Sequence, residues 1–266
     1  MDQKTTWQKT ILIYLSSASM LCLSLVVKSF DSDKESRIAT QTLQTLFVGE
    51  PIWLTSDTKD GRPFLGLVTS EGNKSHTILM IHGTGQGPDT PYVIGPLREL
   101  LSETGYGTLS IQMPVLSDDV DYSKYTAEFS EAGKRIQAGV KFLRKTVPNA
   151  RVVILGHSMG STMLMDWVGK NGTGNISALI PIGLGSTNQK KSISDVFSSS
   201  DINIPILDIL GEKDYDSVLW SAPMREKTII ATHKSSTQRT LENADHFFNG
   251  HEENVALLID SWLEKL

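Results

Sequence analysis

The stretch Val152-Val153-Ile154-Leu155-Gly156-His157-Ser158-Met159-Gly160 decides the reading of this chain. Four aliphatic residues in a row have the character of a strand buried on both faces. Behind them stands a G-x-S-x-G pentapeptide, and residues 161–170 continue as a helix-like stretch. A serine on a sharp turn from strand to helix is pushed out above the sheet, its hydroxyl exposed and a helix N-terminus beneath it. The glycines have a steric reason: the turn brings the residues two before and two after the serine together, where side chains would collide. Alone, the pentapeptide is a weak signal that also fits an ordinary glycine-rich turn. With a strand before it and a helix after it, Ser158 becomes a candidate nucleophile.

Working outward, residues 77–81 read as a buried strand and 92–104 as a helix ended by Gly105. Residues 106–113 read as the next strand, closed by Pro114. Tyr125, Phe129, Ala132, Ile136, Val140 and Leu143 recur at helical spacing, which predicts a helix over 125–145. Further strands are expected at 176–182 and 204–210, and a last helix at Glu252–Leu263. Residues 51–54 and 63–69 read as a hairpin turning at Asp60-Gly61. Continuous apolar strands separated by helices imply a three-layer α/β fold with a mostly parallel sheet and helices on both faces. The segments at 115–122 and 183–201 are short and polar, so no large cap domain is expected. The resulting division is residues 1–29 as a targeting segment, 30–50 as a linker or irregular first helix, and 51–266 as one domain.

The 266 residues carry a formal charge of −5 and no basic run, which argues against nucleic acid and anionic surfaces as partners. Lys4 and Lys9 precede seventeen uncharged residues, 11–27, followed by Lys28. This reads as a secretory signal cleaved near Ser29, giving an exported periplasmic or extracellular protein, or as an uncleaved anchor that leaves the protein membrane-anchored and facing outward. The single cysteine, Cys22, falls inside that segment, so a processed chain would contain no disulfide.

A serine hydroxyl needs a base to take its proton, and the base needs an orienting carboxylate. In an open α/β sheet these groups lie beyond the carboxyl ends of the strands. Asp214 stands just past the 204–210 strand, with Glu212 and Asp216 as competitors and Asp208 inside the strand. Among the six histidines, His246 follows an extended stretch and precedes the last helix, with His251 as the alternative. The chain order Ser158, Asp214, His246 is that of a nucleophile-elbow hydrolase. For the oxyanion, the backbone N–H of Met159 and that of Thr84, in the loop His82-Gly83-Thr84-Gly85-Gln86-Gly87, are the expected donors. That loop lacks the pattern of a phosphate or dinucleotide cradle, and neither metal nor cofactor is implied.

On these residues, residues 63–266 resemble the α/β-hydrolase superfamily. His82-Gly83-Thr84-Gly85-Gln86 and Leu207-Asp208-Ile209 look like a bacterial group catalogued as a domain of unknown function. The resemblance implies a fold and a triad rather than a substrate. The expected activity is cleavage of a carboxylic ester on a small or lipid-like molecule through an acyl-enzyme. Thioesterase, amidase or acyltransferase chemistry uses the same parts, and a non-catalytic binding protein on the same fold is the competing class.

Overall fold

The computed structural model describes residues 30–57, 61–69, 72–174, 176–185 and 202–266. In chain order the elements are α1 (Ser32–Thr45), β1 (Glu50–Thr55), β2 (Pro63–Val68), β3 (His76–Ile81), α2 (Ile94–Glu103) and β4 (Gly107–Ile111). A 3-10 turn at Tyr122–Glu128 leads into α3 (Phe129–Thr146), followed by β5 (Arg151–His157), α4 (Met159–Asn171) and β6 (Ala178–Ile182). The chain closes with β7 (Leu207–Lys213), α5 (Asp216–Thr232), β8 (Thr237–Asp245) and α6 (Glu252–Leu263). The targeting segment with Cys22, and Asp60 of the expected turn, lie outside the described residues.

The strands form one sheet in the order β1-β2-β4-β3-β5-β6-β7-β8. β1 and β2 pair antiparallel, as do β2 and β4, and every pair from β4 to β8 is parallel. Successive strand residues face opposite sides, and this chain fills both. Leu79, Ile81, Val152 and Ile154 enter one core with Ile136, Val140 and Leu143 of α3 and Leu164 and Val168 of α4. Ile78, Met80, Val153 and Leu155 enter the other with Leu97 and Leu101 of α2 and Val255 and Ile259 of α6. Each fully buried aliphatic side chain contributes about 1.5–3 kcal/mol, so the two cores together hold the sheet between its helical layers. Among the described residues no helical cap is inserted above the strand ends.

Three segments differ from the expectations. Residues 30–50, read as a linker or irregular helix, contain the regular helix α1. Its cap is Asp31, whose Oδ1 accepts the N–H groups of Asp33 and Lys34 at 3.1 and 2.9 Å. Its attachment is mostly ionic. Glu35 pairs with Arg135 of α3 at 3.1 Å, burial pushing the Glu35 carboxyl up while Arg135 opposes that; the apolar contacts are few, Ala39 against Leu65 and Leu67 and Ile38 against Gly87. The helix expected over 125–145 starts as a 3-10 turn and becomes α-helical at Phe129. The chain between β7 and the last helix holds α5 and the nine-residue strand β8, where only a short extended stretch was expected.

Candidate active site

Ser158 joins β5 to α4 with φ 55° and ψ −121°, a left-handed backbone that costs a non-glycine residue about 1–3 kcal/mol. The surroundings hold it there. Its N–H donates to the Ile182 carbonyl of β6 at 2.9 Å. One turn on, Ser161 Oγ donates to the Gly156 carbonyl at 2.6 Å and accepts the Ile182 N–H at 3.0 Å. The glycines of the pentapeptide are required by contact. A Cβ on Gly156 would stand 2.8 Å from Gly160 C and from Ser161 N, and one on Gly160 would stand 2.5 Å from the Ile81 carbonyl oxygen. Helix α4 therefore starts against the end of β3, beside the glycine-rich loop, where a Cβ on Gly83 would meet Ser158 Cβ at 3.1 Å.

His246 follows β8 directly and is buried. Its Nε2 lies 2.8 Å from Ser158 Oγ and its Nδ1 2.5 Å from Asp214 Oδ1. A carboxylate only accepts, so Nδ1 carries the ring proton and Nε2 is left to accept the Ser158 O–H. Asp214 follows β7 directly and is fixed in turn. Its Oδ1 accepts the Tyr215 N–H at 2.8 Å and its Oδ2 the Gly211 N–H at 3.2 Å. Gly183, at φ 59°, leaves room for the imidazole: a Cβ there would stand 2.9 Å from His246 Cε1.

The other candidates go elsewhere. Glu212 is exposed and accepts the Asn243 N–H at 2.8 Å, Asp216 opens α5, and His251 is the residue before α6. Asp208 faces away, its Oδ2 bonded to Arg225 Nε at 2.9 Å and Gln238 Nε2 at 2.8 Å. His82 and His157 lie fully inside. His82 Nδ1 donates to the Gly83 carbonyl at 2.8 Å while its Nε2 accepts the Met113 N–H at 2.8 Å. His157 Nε2 donates to the carbonyl of His246 at 2.9 Å. Burial pulls both imidazoles down to about 4, so both stand neutral as structural pins near neutral pH.

Met159 is the first residue of α4, and neither its N–H nor that of Thr84 donates to another described residue. The loop carrying Thr84 is held at its flanks. Gly83 N–H donates to Gln86 Oε1 at 3.2 Å, and Gly85 N–H donates to the Tyr125 hydroxyl, which also accepts the Leu116 N–H at 3.0 Å. A pocket of about 410 Å³ opens at Ser158 and His246, walled by Tyr122, Tyr215, Gly185 and Val218. Burial raises the Tyr122 hydroxyl to about 12, so it stays protonated. Tyr215 covers the imidazole as a stacked ring with centroids 4.1 Å apart. Tyr122, Tyr125 and Tyr215 carry no site signal in the sequence, because their roles depend on the loops after β3, β4 and β7 meeting at one edge.

The fold that carries these residues has counterparts among known structures. An esterase from Pyrococcus furiosus superposes with a TM-score of 0.64 at 15% identity, over 84% of this chain and 93% of that one. The chain has the α/β-hydrolase fold. A dienelactone hydrolase from Anabaena variabilis shares it with a TM-score of 0.62 at 18% identity, over 81% of this chain and 98% of that one. So does an α/β serine hydrolase without lid from Xanthomonas campestris, at 0.59 and 16% identity, over 83% and 96% of the two chains. A family described as "Protein of unknown function (DUF3530)" matches residues 31–132, from the cap of α1 to the start of α3. No curated protein matches the chain. Within the α/β-hydrolase fold, the matched family segment ends before Ser158 but includes the loop at Thr84 and the Tyr125 that braces it.

Proposed function

We propose that the chain is a serine hydrolase that cleaves a carboxylic ester. The observation that carries this reading is the continuous hydrogen-bond chain from Ser158 Oγ through His246 to Asp214, at 2.8 and 2.5 Å. Its chemistry follows from those atoms. His246 Nε2 takes the proton from Ser158 Oγ as the oxygen attacks the ester carbonyl, and Asp214 stabilises the imidazolium that forms. The negative oxygen of the tetrahedral adduct accepts the N–H groups of Met159 and Thr84. His246 returns the proton to the departing alcohol, leaving an acyl group on Ser158. Water then repeats the sequence, yielding a carboxylic acid and the free serine.

The test is labelling of the protein by a fluorophosphonate probe together with turnover of p-nitrophenyl esters of graded chain length. Labelling and ester release that both vanish in Ser158→Ala are the expected result. A folded wild-type protein that neither labels nor turns over any ester would remove the hydrolase reading and favour a binding protein on this fold.

A further inference from the structure

The described chain begins at the sheet edge that bears the candidate site. Phe30 packs against the Arg135 guanidinium at 5.0 Å, and the Asp31 N–H donates to the Val115 carbonyl at 2.8 Å. Asp31 Oδ2 accepts from Ser117 Oγ at 2.8 Å. Val115 and Ser117 belong to the loop leaving the carboxyl end of β4, the edge on which Ser158, Asp214 and His246 stand. Lys34 continues the attachment, donating to the Leu116 carbonyl at 3.2 Å and lying 3.6 Å from where a Cβ of Gly85 would be. Helix α1 then runs away from that edge. Gly49, beyond its far end, sits against the Val68 carbonyl and Thr69, level with the start of β4.

Before Phe30 the sequence has Lys28 and Ser29, and before them the seventeen uncharged residues 11–27. Three residue steps separate Val27 from Phe30, at most about 11 Å of chain. Seventeen uncharged residues, thirteen of them other than serine, are at the short end of what crosses a bilayer as a helix. Around the same edge, Tyr92, Val120, Tyr122 and Tyr215 stand 42%, 38%, 43% and 54% exposed, on loops that follow β3, β4 and β7. Tyrosine with an apolar body and a polar tip is the residue type that settles at a membrane–water interface. The charges beside them are Asp118, Asp119, Asp121, Lys124, Asp214 and Asp216, with Lys34 paired to Asp118; no basic cluster stands there among the described residues, which suits a zwitterionic rather than an anionic lipid face.

We propose that residues 11–27 are retained as a membrane anchor whose short exit holds the mouth of the Ser158 site against a zwitterionic bilayer, so that the substrate is an acyl ester carried in the lipid layer. The substrate part rests on the hydrolase reading; the docking part does not. A tether of two residues, Lys28 and Ser29, keeps the site within one protein radius of its substrate plane, which raises the local concentration of membrane esters and disfavours larger soluble ones.

The test uses the full chain reconstituted in phosphatidylcholine vesicles, with the N-terminus verified by intact mass. Val120→Cys and Phe47→Cys, each in a Cys22→Ser background, carry a fluorophore at the site edge and near the opposite end of the sheet. Quenching by nitroxide-headgroup lipid at position 120 and not at 47 is expected. Equal quenching at both, no quenching at 120, or recovery of a chain lacking residues 1–29 would overturn the docking. An inserted Gly/Ser linker of about twenty residues between Ser29 and Phe30 adds roughly 25 Å of reach. It should lower turnover of a bilayer-embedded ester at least about fivefold and leave p-nitrophenyl acetate turnover unchanged. Unchanged bilayer turnover overturns the lipid substrate while the hydrolase reading stands. Failure of the parent protein on both esters counts against the hydrolase reading and the substrate with it, and the quenching pair still decides the docking.

Discussion

Tyr215 lies over the imidazole of His246, with ring centroids 4.1 Å apart and planes inclined by 24°. Its backbone N–H also donates to the Asp214 oxygen that receives His246 Nδ1. When His246 takes the serine proton, the developing imidazolium faces an aromatic π surface, an interaction worth roughly 0.5–2 kcal/mol. Tyr215→Leu is therefore expected to lower kcat about three- to tenfold with little change in KM, and Tyr215→Phe to retain the activity. Equal loss in both variants, read from steady-state ester hydrolysis, would show that the hydroxyl and not the ring matters.

The Tyr125 hydroxyl accepts two backbone N–H groups, those of Gly85 and Leu116. Tyr125→Phe leaves both donors unpaired, at about 1–3 kcal/mol each where water cannot reach them. The expected outcome is a lower denaturant midpoint with kcat reduced more than KM is raised, because Thr84 lies one residue from Gly85. A change in stability with kinetics untouched would separate the brace from the oxyanion loop.

Gly160→Ala places a methyl group 2.5 Å from the Ile81 carbonyl oxygen and 2.6 Å from that of His82, both backbone atoms that cannot swing aside. The substitution should cost several kcal/mol, beyond the usual range of point changes, and abolish probe labelling. Gly174→Ala meets nothing within 4 Å and should stay within about 0.5 kcal/mol of the parent in urea unfolding.

Asp208 and Arg225 form a buried ion pair at 2.9 Å that ties α5 to β7, with Arg225 also donating to Ser221 Oγ and the Val218 carbonyl. Removing one partner strands the other charge. Arg225→Met or Asp208→Leu alone should destabilise by about 3–5 kcal/mol, while the double change should recover much of that loss. Additive losses in a thermal or urea double-mutant cycle would contradict the pairing.

Acid stability follows in part from His82 and His157, two of the buried histidines; His76, also buried and pulled down to about 4, adds in the same direction. His82 and His157 titrate at about 4 in the fold against 6.5 when free, so between those values the unfolded chain binds more protons. Stability is present in full above pH 6.5 and is lost as pH falls toward 4, by an amount on the order of a few kcal/mol for the pair. Urea unfolding at pH 7, 6, 5 and 4 should show this slope. His157→Gln should flatten it, and an unchanged slope would assign the acid loss to other groups.

What the sequence made legible was set by periodicity and edge geometry. Helix α6 coincides with the residues read from Val255, Leu258, Ile259 and Trp262, and β5 from its run of aliphatics. Asp214 ranks ahead of Glu212 and Asp216 by its place just past the strand end, but the sequence leaves those two as competitors; it is the structure that brings Asp214 together with His246 and Ser158. Helix α1 was illegible because its attachment is a cap and an ion pair, with only Ala39 and Thr42 buried. Helix α5 reverses the usual pattern: Arg225 is buried, Trp220 and Met224 are exposed, and Pro223 interrupts the run. Strand β8 lies at the border of the sheet, where charged residues such as Arg239 and Glu242 replace the aliphatic signature.

Strand β5 sends Val152 and Ile154 to one layer and Val153 and Leu155 to the other, and its next residues are the turn that presents Ser158. A slip of one position along β5 would exchange the two sets and rotate the serine to the wrong side. Deletion or insertion of a single residue between Val152 and Gly156 should thus be far more damaging than the same change at Gly174, where an added Cβ would meet nothing within 4 Å. The nucleophile keeps its place because both halves of the protein must agree on the alignment of one strand.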